Sequence, residues 1–435
     1  MENVKRGNYR WIVCALLFFA TTINYIDRQV IGLLKPTLEK EFNWTEVDYG
    51  YIVMVFAIMY AVGYVIFGTF IDKVGSKIGY GISVLVWSIA AVLHAVAKST
   101  LGFGVVRGLL GLAESGNFPA GIKAVAEWFP VRERALATGI FNSGTSVGAV
   151  LAPVIVPWIL GLYGWQEAFV ITGAIGFIWL IFWWIFYEIP TKQKRLKQPE
   201  LDYILSDEDQ AAPEVKIKIK WGDLLRLKQT WVYIVGKVLT DPIWWFFLFW
   251  LPSFFADTFA LDLTKPSFQL ATIYAATTFG SIGGGFLSSH FIKSGWPVLK
   301  ARKTTLLIVA ILVMPIFFVQ YASNIWSVVA LVALATAAHQ AWSANIFTIV
   351  SDMFPKSAVS TVVGIGGMSG SIASALFPLF VGTLLAYYKD LGNISAGYHI
   401  LFIISGCAYI LAWGVIQLLS RNMKPIESVI QEEAV

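Results

Sequence analysis

Twelve long apolar runs, arranged in two sets of six, dominate this 435-residue sequence. Each run is long enough to cross about 30 Å of hydrocarbon as an α-helix. Because lipid offers no hydrogen bonds to the backbone, segments that span it form helices or closed barrels. The predicted fold class is an all-α membrane protein with twelve transmembrane helices in two pseudo-symmetric six-helix bundles. The runs lie at about 11–33, 47–71, 78–97, 101–125, 134–161, 166–188, 230–256, 267–291, 303–321, 325–350, 358–386 and 396–420.

A polar stretch separates the two sets of runs and divides the chain into three parts. Residues 1–189 are predicted to form the first bundle, residues 190–229 a cytoplasmic linker, and residues 230–435 the second bundle. Loops on the side of the two termini carry 23 Lys and Arg residues, against 5 on the other side. This difference predicts cytoplasmic termini in a multi-pass protein of the inner (plasma) membrane.

The composition argues against several classes of function. The chain is 57% hydrophobic and only 14% charged, which predicts that its surroundings are a lipid bilayer. Its basic residues are spread over short loops, so nucleic-acid binding is not expected. Cys14 and Cys407 lie in apolar runs near opposite ends, which indicates neither a disulfide framework nor a metal site. No nucleophile, metal-ligand spacing or phosphate loop appears, so we expect neither an enzyme nor a cofactor.

An internal repeat relates the two halves. A shift of 225 residues aligns the junction of the fourth and fifth runs with that of the tenth and eleventh. The matched pairs are Glu127 and Asp352, Phe129 and Phe354, Pro130 and Pro355, Gly139 and Gly364, and Pro153 and Pro378. The same shift places Glu114 on His339. Repeats in transporters place the substrate near the midplane, between halves that rock around it.

Charged residues inside the apolar runs are the first indication of a site. Asp27 and Arg28 are adjacent in the first run, and a charge at membrane depth costs at least roughly 2.5 to 3.5 kcal/mol. Such residues usually face the bundle interior or a water-filled path, and Arg28 either binds substrate or pairs with Asp27. Arg107 and Glu114 are seven residues apart on one helical face. That spacing is too long for a direct pair, so water, substrate or another residue is expected between them.

Further candidates are polar and aromatic residues that either contact a substrate or pack within the bundle. Tyr60 offers a phenol in the second run, and Asn142 and Thr145 lie on one face of the fifth. Lys237 and Asp241 are four residues apart and are predicted to form a structural or gating pair, with Pro242 loosening the helix. The tenth run contributes a dense group, His339, Trp342, Ser343 and Asn345.

Five segments resemble the motifs of a known transporter superfamily. GTFIDKVGSK at 68–77 resembles the signature loop of the major facilitator superfamily. Together with that loop, four other segments look like the anion:cation symporter family, and in particular like bacterial hexuronate transporters. They are NYIDR at 24–28, RGLLGLAESGNFPAGIKAVAEWFP at 107–130, RALATGIFNSGTSVGA at 134–149 and HQAWSANIFTIVSDMF at 339–354. The resemblance covers about residues 10–419.

The signature loop is expected to act as a state-dependent latch rather than as a binding site. Gly68 permits close packing, and Gly75 permits a tight turn. Asp72, followed by the basic Lys73, can pair with basic groups or with a helix N-terminus across the half. The corresponding loop of the second half, around Gly285, lacks the aspartate, so the latch there is expected to be degenerate.

By motif position, the resemblance implies that Asp27 and Glu114 take protons while Arg28 holds a substrate carboxylate. An arginine can hold a carboxylate bidentately, which a lysine cannot. Arg107 is expected to have a gating or structural role. The function expected is a monomeric proton-coupled symporter that imports a sugar-acid anion, in the first place a hexuronate, by alternating access. The alternatives are an aldonate or aldarate symporter, an organic-anion exchanger and, in a different class, a non-transporting membrane sensor.

Overall fold

The computed structural model describes residues 7–206, 221–259 and 267–421, together with residues 423 and 426. Residues 207–220 of the predicted linker therefore lie outside the described residues. Within the described ranges the regular elements are α-helices and short 3₁₀ segments, without strands. The α-helices are α1 (Tyr9–Phe42), α2 (Glu46–Val74), α3 (Ser76–Leu93), α4 (Thr100–Glu114), α5 (Asn117–Trp128), α6 (Val131–Leu162), α7 (Trp165–Phe186), α8 (Gln198–Leu205), α9 (Trp221–Leu224), α10 (Lys228–Phe259), α11 (Phe268–Lys293), α12 (Val298–Val313), α13 (Ile325–Met353), α14 (Val359–Asp390) and α15 (Ile394–Leu419).

The helices correspond to the apolar runs in number and order. Across the described ranges, ten helices are long and apolar enough to cross a membrane, and α10 is an eleventh if its two bent segments form one span. The remaining run, the fourth, is covered by α4 and α5 together. The all-helical fold predicted from the sequence is confirmed.

The fourth run is not the single continuous helix that its apolar pattern predicts. The helix α4 ends at Glu114, and α5 begins at Asn117. Pro119 has no N–H, so the carbonyl of Ser115 cannot receive the usual helical hydrogen bond. Next to this carbonyl, the Ser115 hydroxyl donates to the carbonyl oxygen of Leu112 in the last turn of α4 at 2.6 Å. The break therefore follows directly after the buried carboxylate of Glu114.

The helix α10 also bends, but not at the proline that the sequence indicates. It continues as a helix through Pro242 and bends by 49° between Leu248 and Trp250. Pro252 explains this position, because its ring leaves the carbonyl of Leu248 without a helical donor. The hydroxyl of Tyr274 donates to that carbonyl at 3.3 Å.

Contacts among helix ends define one end of the bundle, which we call the terminal end because α1 begins and α15 ends there. Tyr9 donates its hydroxyl to the carbonyl of Phe186 at 2.7 Å, which joins the start of α1 to the end of α7. Arg10 pairs with Glu133 at 2.9 Å and joins α1 to the start of α6. We call the opposite end the far end.

The short linker helix α8 is fixed to this terminal end. Glu200 accepts hydrogen bonds from the backbone N–H groups of Tyr9 and Arg10 at 3.0 and 3.1 Å. It thereby caps the start of α1, where a carboxylate is favoured by the helix dipole. Tyr203 donates its hydroxyl to Glu133 at 2.9 Å. Part of the predicted linker is thus an ordered support for α1 and α6.

Glycines bring α2 of the first half against α14 of the second. A Cβ atom at Gly68 would overlap the carbonyl oxygen of Ser360, and one at Gly364 would overlap that of Tyr64. The two backbones are therefore in direct contact near the terminal end, and Gly68 has the packing role expected of it.

The helices α6 and α11 repeat this arrangement. A Cβ atom at Gly139 would overlap the carbonyl oxygen of Ser281, and one at Gly285 would overlap that of Ala135. The 225-residue shift relates Gly139 to Gly364 and Ala135 to Ser360. The duplication read from the sequence therefore reappears as two matching crossings between the halves.

Candidate functional site

An ion pair between α1 and α4 lies at the centre of the candidate site. Arg28 donates from Nε to Oε2 of Glu114 at 2.9 Å. The side chain of Glu114 is fully buried, whereas 21% of the Arg28 side chain is exposed. Arg107 donates from Nη2 to the backbone oxygen of Arg28 at 2.6 Å. Arg28 is thus the residue that bridges Arg107 and Glu114, and it pairs with Glu114 rather than with Asp27.

Aromatic rings surround the Arg28 guanidinium. Its Cζ lies 4.7, 5.4 and 4.6 Å from the ring centroids of Tyr25, Phe56 and Tyr60. The Tyr60 hydroxyl is 3.3 Å from that of Tyr64. These contacts stabilise the cation where water is scarce and surround it with rings and phenol hydroxyls. The arrangement fits a group that has both a negative end and hydroxyls.

Several buried polar atoms of this region have no hydrogen-bond partner among the described residues. They are both carboxylate oxygens of Asp27, Oε1 of Glu114, and Nε and Nη1 of Arg107. Leaving such groups unpaired is costly unless a proton, a water molecule or a bound group satisfies them. Their concentration around one ion pair distinguishes this region from ordinary helix packing.

The second half contributes a histidine and its partners. Nδ1 of His339 on α13 is 2.6 Å from the hydroxyl of Tyr409 on α15. The imidazole stacks on Trp244 of α10 at 5.0 Å. Trp342 is fully buried and meets the ring of Tyr409 edge-on at 5.5 Å. The structure therefore places Trp342 in the packing between α13 and α15.

The predicted pair on α10 is present. Lys237 and Asp241 are joined at 2.8 Å, and Asp241 is the more exposed of the two side chains. Lys237 also lies 4.6 Å from the ring centroid of Phe347. A Cβ atom at Gly370 of α14 would overlap Oδ2 of Asp241. The pair therefore lies among α10, α13 and α14 of the second half.

Asn142 connects the two halves directly. Its amide donates to Oε1 of Gln340 at 2.8 Å and to Oγ of Ser281 at 3.0 Å. The hydroxyl of Thr145, one turn further along α6, is buried without a partner among the described residues. Ser146 and Thr277 make a further contact between α6 and α11 at 2.5 Å.

Asn345 and Ser343 differ in their surroundings. Asn345 is fully buried and donates to the backbone oxygens of Gly284 and Ala341 at 3.0 and 2.9 Å. The bond to Gly284 fixes α13 to α11, whereas the bond to Ala341 lies within α13. Ser343 retains a small exposed fraction of 9%.

Asp72 links the halves at the terminal end. It pairs with Lys123 at 2.8 Å and accepts from the N–H and hydroxyl of Thr361 at 2.6 and 2.7 Å. Because Thr361 lies in the first turn of α14, both contacts expected of Asp72 are present. Lys73 is exposed, and Gly75 adopts a positive φ of 88° at the turn into α3.

Comparison with known proteins places the chain in a family. The sequence profile of the major facilitator superfamily matches residues 17–378. The chain belongs to the major facilitator superfamily. It is 33% identical over 434 residues to a hexuronate transporter of Escherichia coli K12, covering 99% of this chain and 98% of that protein. A galacturonate transporter of Dickeya chrysanthemi is 33% identical over 291 residues, covering 66% and 84%.

Solved structures agree on the fold. A proton:xylose symporter superposes with a TM-score of 0.74 at 15% identity, covering 93% of this chain and 94% of that chain. The Escherichia coli fucose:proton symporter gives a TM-score of 0.69 at 13% identity, covering 95% and 100%. The chain is therefore a multi-pass membrane protein built on the major facilitator fold, whose members are transporters rather than enzymes.

One ionic cluster of this major facilitator protein was not found from the sequence. Arg302 of α12 is fully buried and pairs with Asp352 of α13 at 2.8 Å. It also donates to the backbone oxygen of Val131 in the first half at 3.1 Å. Arg134 of α6 donates to the backbone oxygen of Ser351 at 2.6 Å. The only sequence signal was the match of Asp352 to Glu127 in the repeat.

The loop that lacks an aspartate keeps a weaker form of the contact between the halves. Ser289 accepts from the backbone N–H of Leu136 at 3.3 Å, at the position where the first half uses Asp72. A neutral hydroxyl forms a weaker contact than a carboxylate does. The Arg302 cluster supplies the ionic contact on that side.

Proposed function

We propose that this protein is a proton-coupled symporter that imports a hexuronate by alternating access. The ion pair between Arg28 and Glu114 is the observation that carries this proposal. A substrate carboxylate and the Glu114 carboxylate would compete for one guanidinium. Protonation of Glu114 releases Nε of Arg28 and removes the negative charge next to it. Proton and anion therefore favour the same occupied state, as symport requires.

The surroundings of Arg28 suit a sugar acid. The carboxylate would bind the guanidinium bidentately. Tyr25 and Tyr60 offer ring faces and hydroxyls to the sugar ring, and Gln340 and Asn142 offer amides from the two halves. Asp27, buried one residue before Arg28, is the second proton acceptor of the proposal. The similarity to hexuronate and galacturonate transporters supports this choice of substrate.

We infer the orientation from the distribution of basic residues, which assigns the terminal end to the cytoplasm. The Asp72 and Arg302 contacts join the halves there, so the structure corresponds to a state closed to the cytoplasm. Import then requires that the bonds from Asp72 to Thr361 and from Arg302 to Val131 open as the halves rock. In a bacterium such as those of the relatives, the membrane is the inner membrane.

Transport into proteoliposomes tests the proposal. Labelled glucuronate should accumulate under an inward proton gradient, and Glu114→Gln should abolish accumulation while retaining counterflow. Glu167→Gln, which changes an exposed carboxylate at the far end, is the matched control and should behave as wild type. Uptake that ignores the gradient would favour an exchanger. Absence of uptake for glucuronate and galacturonate would refute hexuronate transport.

A further inference from the structure

A groove on the surface of the second half, away from the bundle interior, has the features of a lipid site. Two helices, α12 and α15, enclose a cavity of about 330 Å³ at the terminal end. Its polar lining comes from Lys300, Lys303, Thr304 and Gln417, and its apolar lining from Leu307 and Trp413. We propose that this groove binds the headgroup of an anionic phospholipid of the phosphatidylglycerol type.

The groove is built by one face of each helix. Lys300, Lys303, Thr304 and Leu307 have the spacing of residues on a single face of α12. Trp413 donates its indole N–H to the backbone oxygen of Lys303 at 3.0 Å, which fixes α15 against α12. The site is therefore defined by helix packing rather than by a loop.

The position of the groove separates it from the substrate path. Arg302, on the opposite side of α12, is fully buried and reaches Asp352 in the bundle interior. Near the start of the helix Lys300 is exposed and Lys303 is half-buried, and the Lys300 ammonium lies 4.9 Å from the ring centroid of Trp296. Tryptophans and lysines at this depth are typical of the headgroup region of a bilayer.

The chemistry of the lining favours one class of lipid. Two ammonium groups attract a phosphodiester, as basic residues near an anionic leaflet do in general. Oε1 of Gln417 is buried without a partner among the described residues, and it can accept a hydrogen bond from a glycerol hydroxyl. Leu307, further along α12, continues the groove toward the hydrocarbon and suits the start of an acyl chain. A soluble phosphate ester would not use this apolar extension.

Occupation of the groove would affect the contact between the halves. A headgroup held by α12 and α15 would stabilise α12, the helix that carries Arg302. Because Arg302 contacts both Asp352 and Val131, the lipid would support the closed terminal end.

Lipid retention by the full-length protein tests the site. In native mass spectrometry from mixed phosphatidylcholine and phosphatidylglycerol micelles, wild type should retain phosphatidylglycerol, and Lys300→Gln/Lys303→Gln should bind it about tenfold or more weakly. Lys192→Gln/Lys194→Gln removes the same charge from exposed linker positions and should bind as wild type. The single variant Lys300→Gln alters an exposed side chain and gives the same comparison if the double variant does not fold.

Three results would overturn the proposal. The first is equal retention by wild type and the groove variants, and the second is an equal loss in the linker control. The third is full competition by glycerol phosphate, which would assign the groove to a soluble anion. The measurement involves no sugar acid, so its result tests the lipid site independently of the proposed transport function.

Discussion

The contact between Asp72 and the start of α14 predicts how strongly one carboxylate controls the closed terminal end. Charge-assisted hydrogen bonds contribute about 1.5 to 3 kcal/mol each, whereas neutral ones contribute about 0.5 to 1.5 kcal/mol. Asp72→Asn keeps an acceptor but loses the charge behind the two bonds to Thr361. At roughly 1 kcal/mol for each weakened bond, the closed state loses about 2 kcal/mol. The closed-to-open ratio at the terminal end should fall about 30-fold.

Spin-label distances between the far ends of the halves measure this change. Labels at Tyr163→Cys and Phe268→Cys would report on exposed positions directly after α6 and at the start of α11, once Cys407→Ser has removed the exposed native thiol. Asp72→Asn should increase the population in which these labels are close, because opening one end of a rocking bundle closes the other.

A matched control separates the loss of charge from the loss of a contact between the halves. Glu127 lies at the same end but bonds within the first half, to Ser76 at 2.5 Å and Tyr187 at 2.7 Å. Glu127→Gln should leave the distance distribution unchanged. An unchanged distribution in Asp72→Asn, or the same shift in Glu127→Gln, would refute the assignment of Asp72 as a contact that holds the halves together.

Three further substitutions give separate tests. A lysine at position 28 cannot bind the substrate carboxylate bidentately, so Arg28→Lys should lower the glucuronate affinity measured by calorimetry tenfold or more. Asp241→Asn leaves Lys237 without its partner, and the unpaired ammonium should attract a second carboxylate. Competition by the dicarboxylate glucarate against labelled glucuronate should therefore increase. Unchanged competition would contradict an influence of this pair on the charge of the substrate. Glu200→Ala removes the cap of α1 and should destabilise the protein by at least about 1 kcal/mol, measured by thermal unfolding, with no change in the proton dependence of uptake.

Apolar runs were enough to predict the helices, because a membrane-spanning helix makes its backbone hydrogen bonds within itself. The length of the apolar run then gives the length of the span. The break after Glu114 was missed because Pro119 lies inside an otherwise uninterrupted apolar pattern. Pro242 was expected to loosen α10, whereas the bend lies beside Pro252. There the hydroxyl of Tyr274, from another helix, donates to the carbonyl of Leu248 that Pro252 leaves without a donor. Local sequence marks possible bends, and tertiary partners decide which one is used.

Pairings at the site were only partly predictable. The spacing of Lys237 and Asp241 on one helix was sufficient to predict their contact. By contrast, the partner of Arg28 lies 86 residues away on α4, and the sequence offered only a substrate or neighbouring Asp27 as its partner. Tyr25 was missed because an aromatic residue in an apolar run carries no signal of the cation stacked on it.

The repeat allows the two halves to be compared position by position. Both crossings between them use matched glycines, so the halves can approach equally closely on either side. Their chemistry differs, because the position of Glu114 in the first half is occupied by His339 in the second, where it is held by Tyr409 and Trp244. In the proposed mechanism Glu114 thus competes with the substrate carboxylate for Arg28, whereas the imidazole of His339 is held by Tyr409 and Trp244. We infer that coupling is concentrated in the first half and that the second half mainly shapes the site.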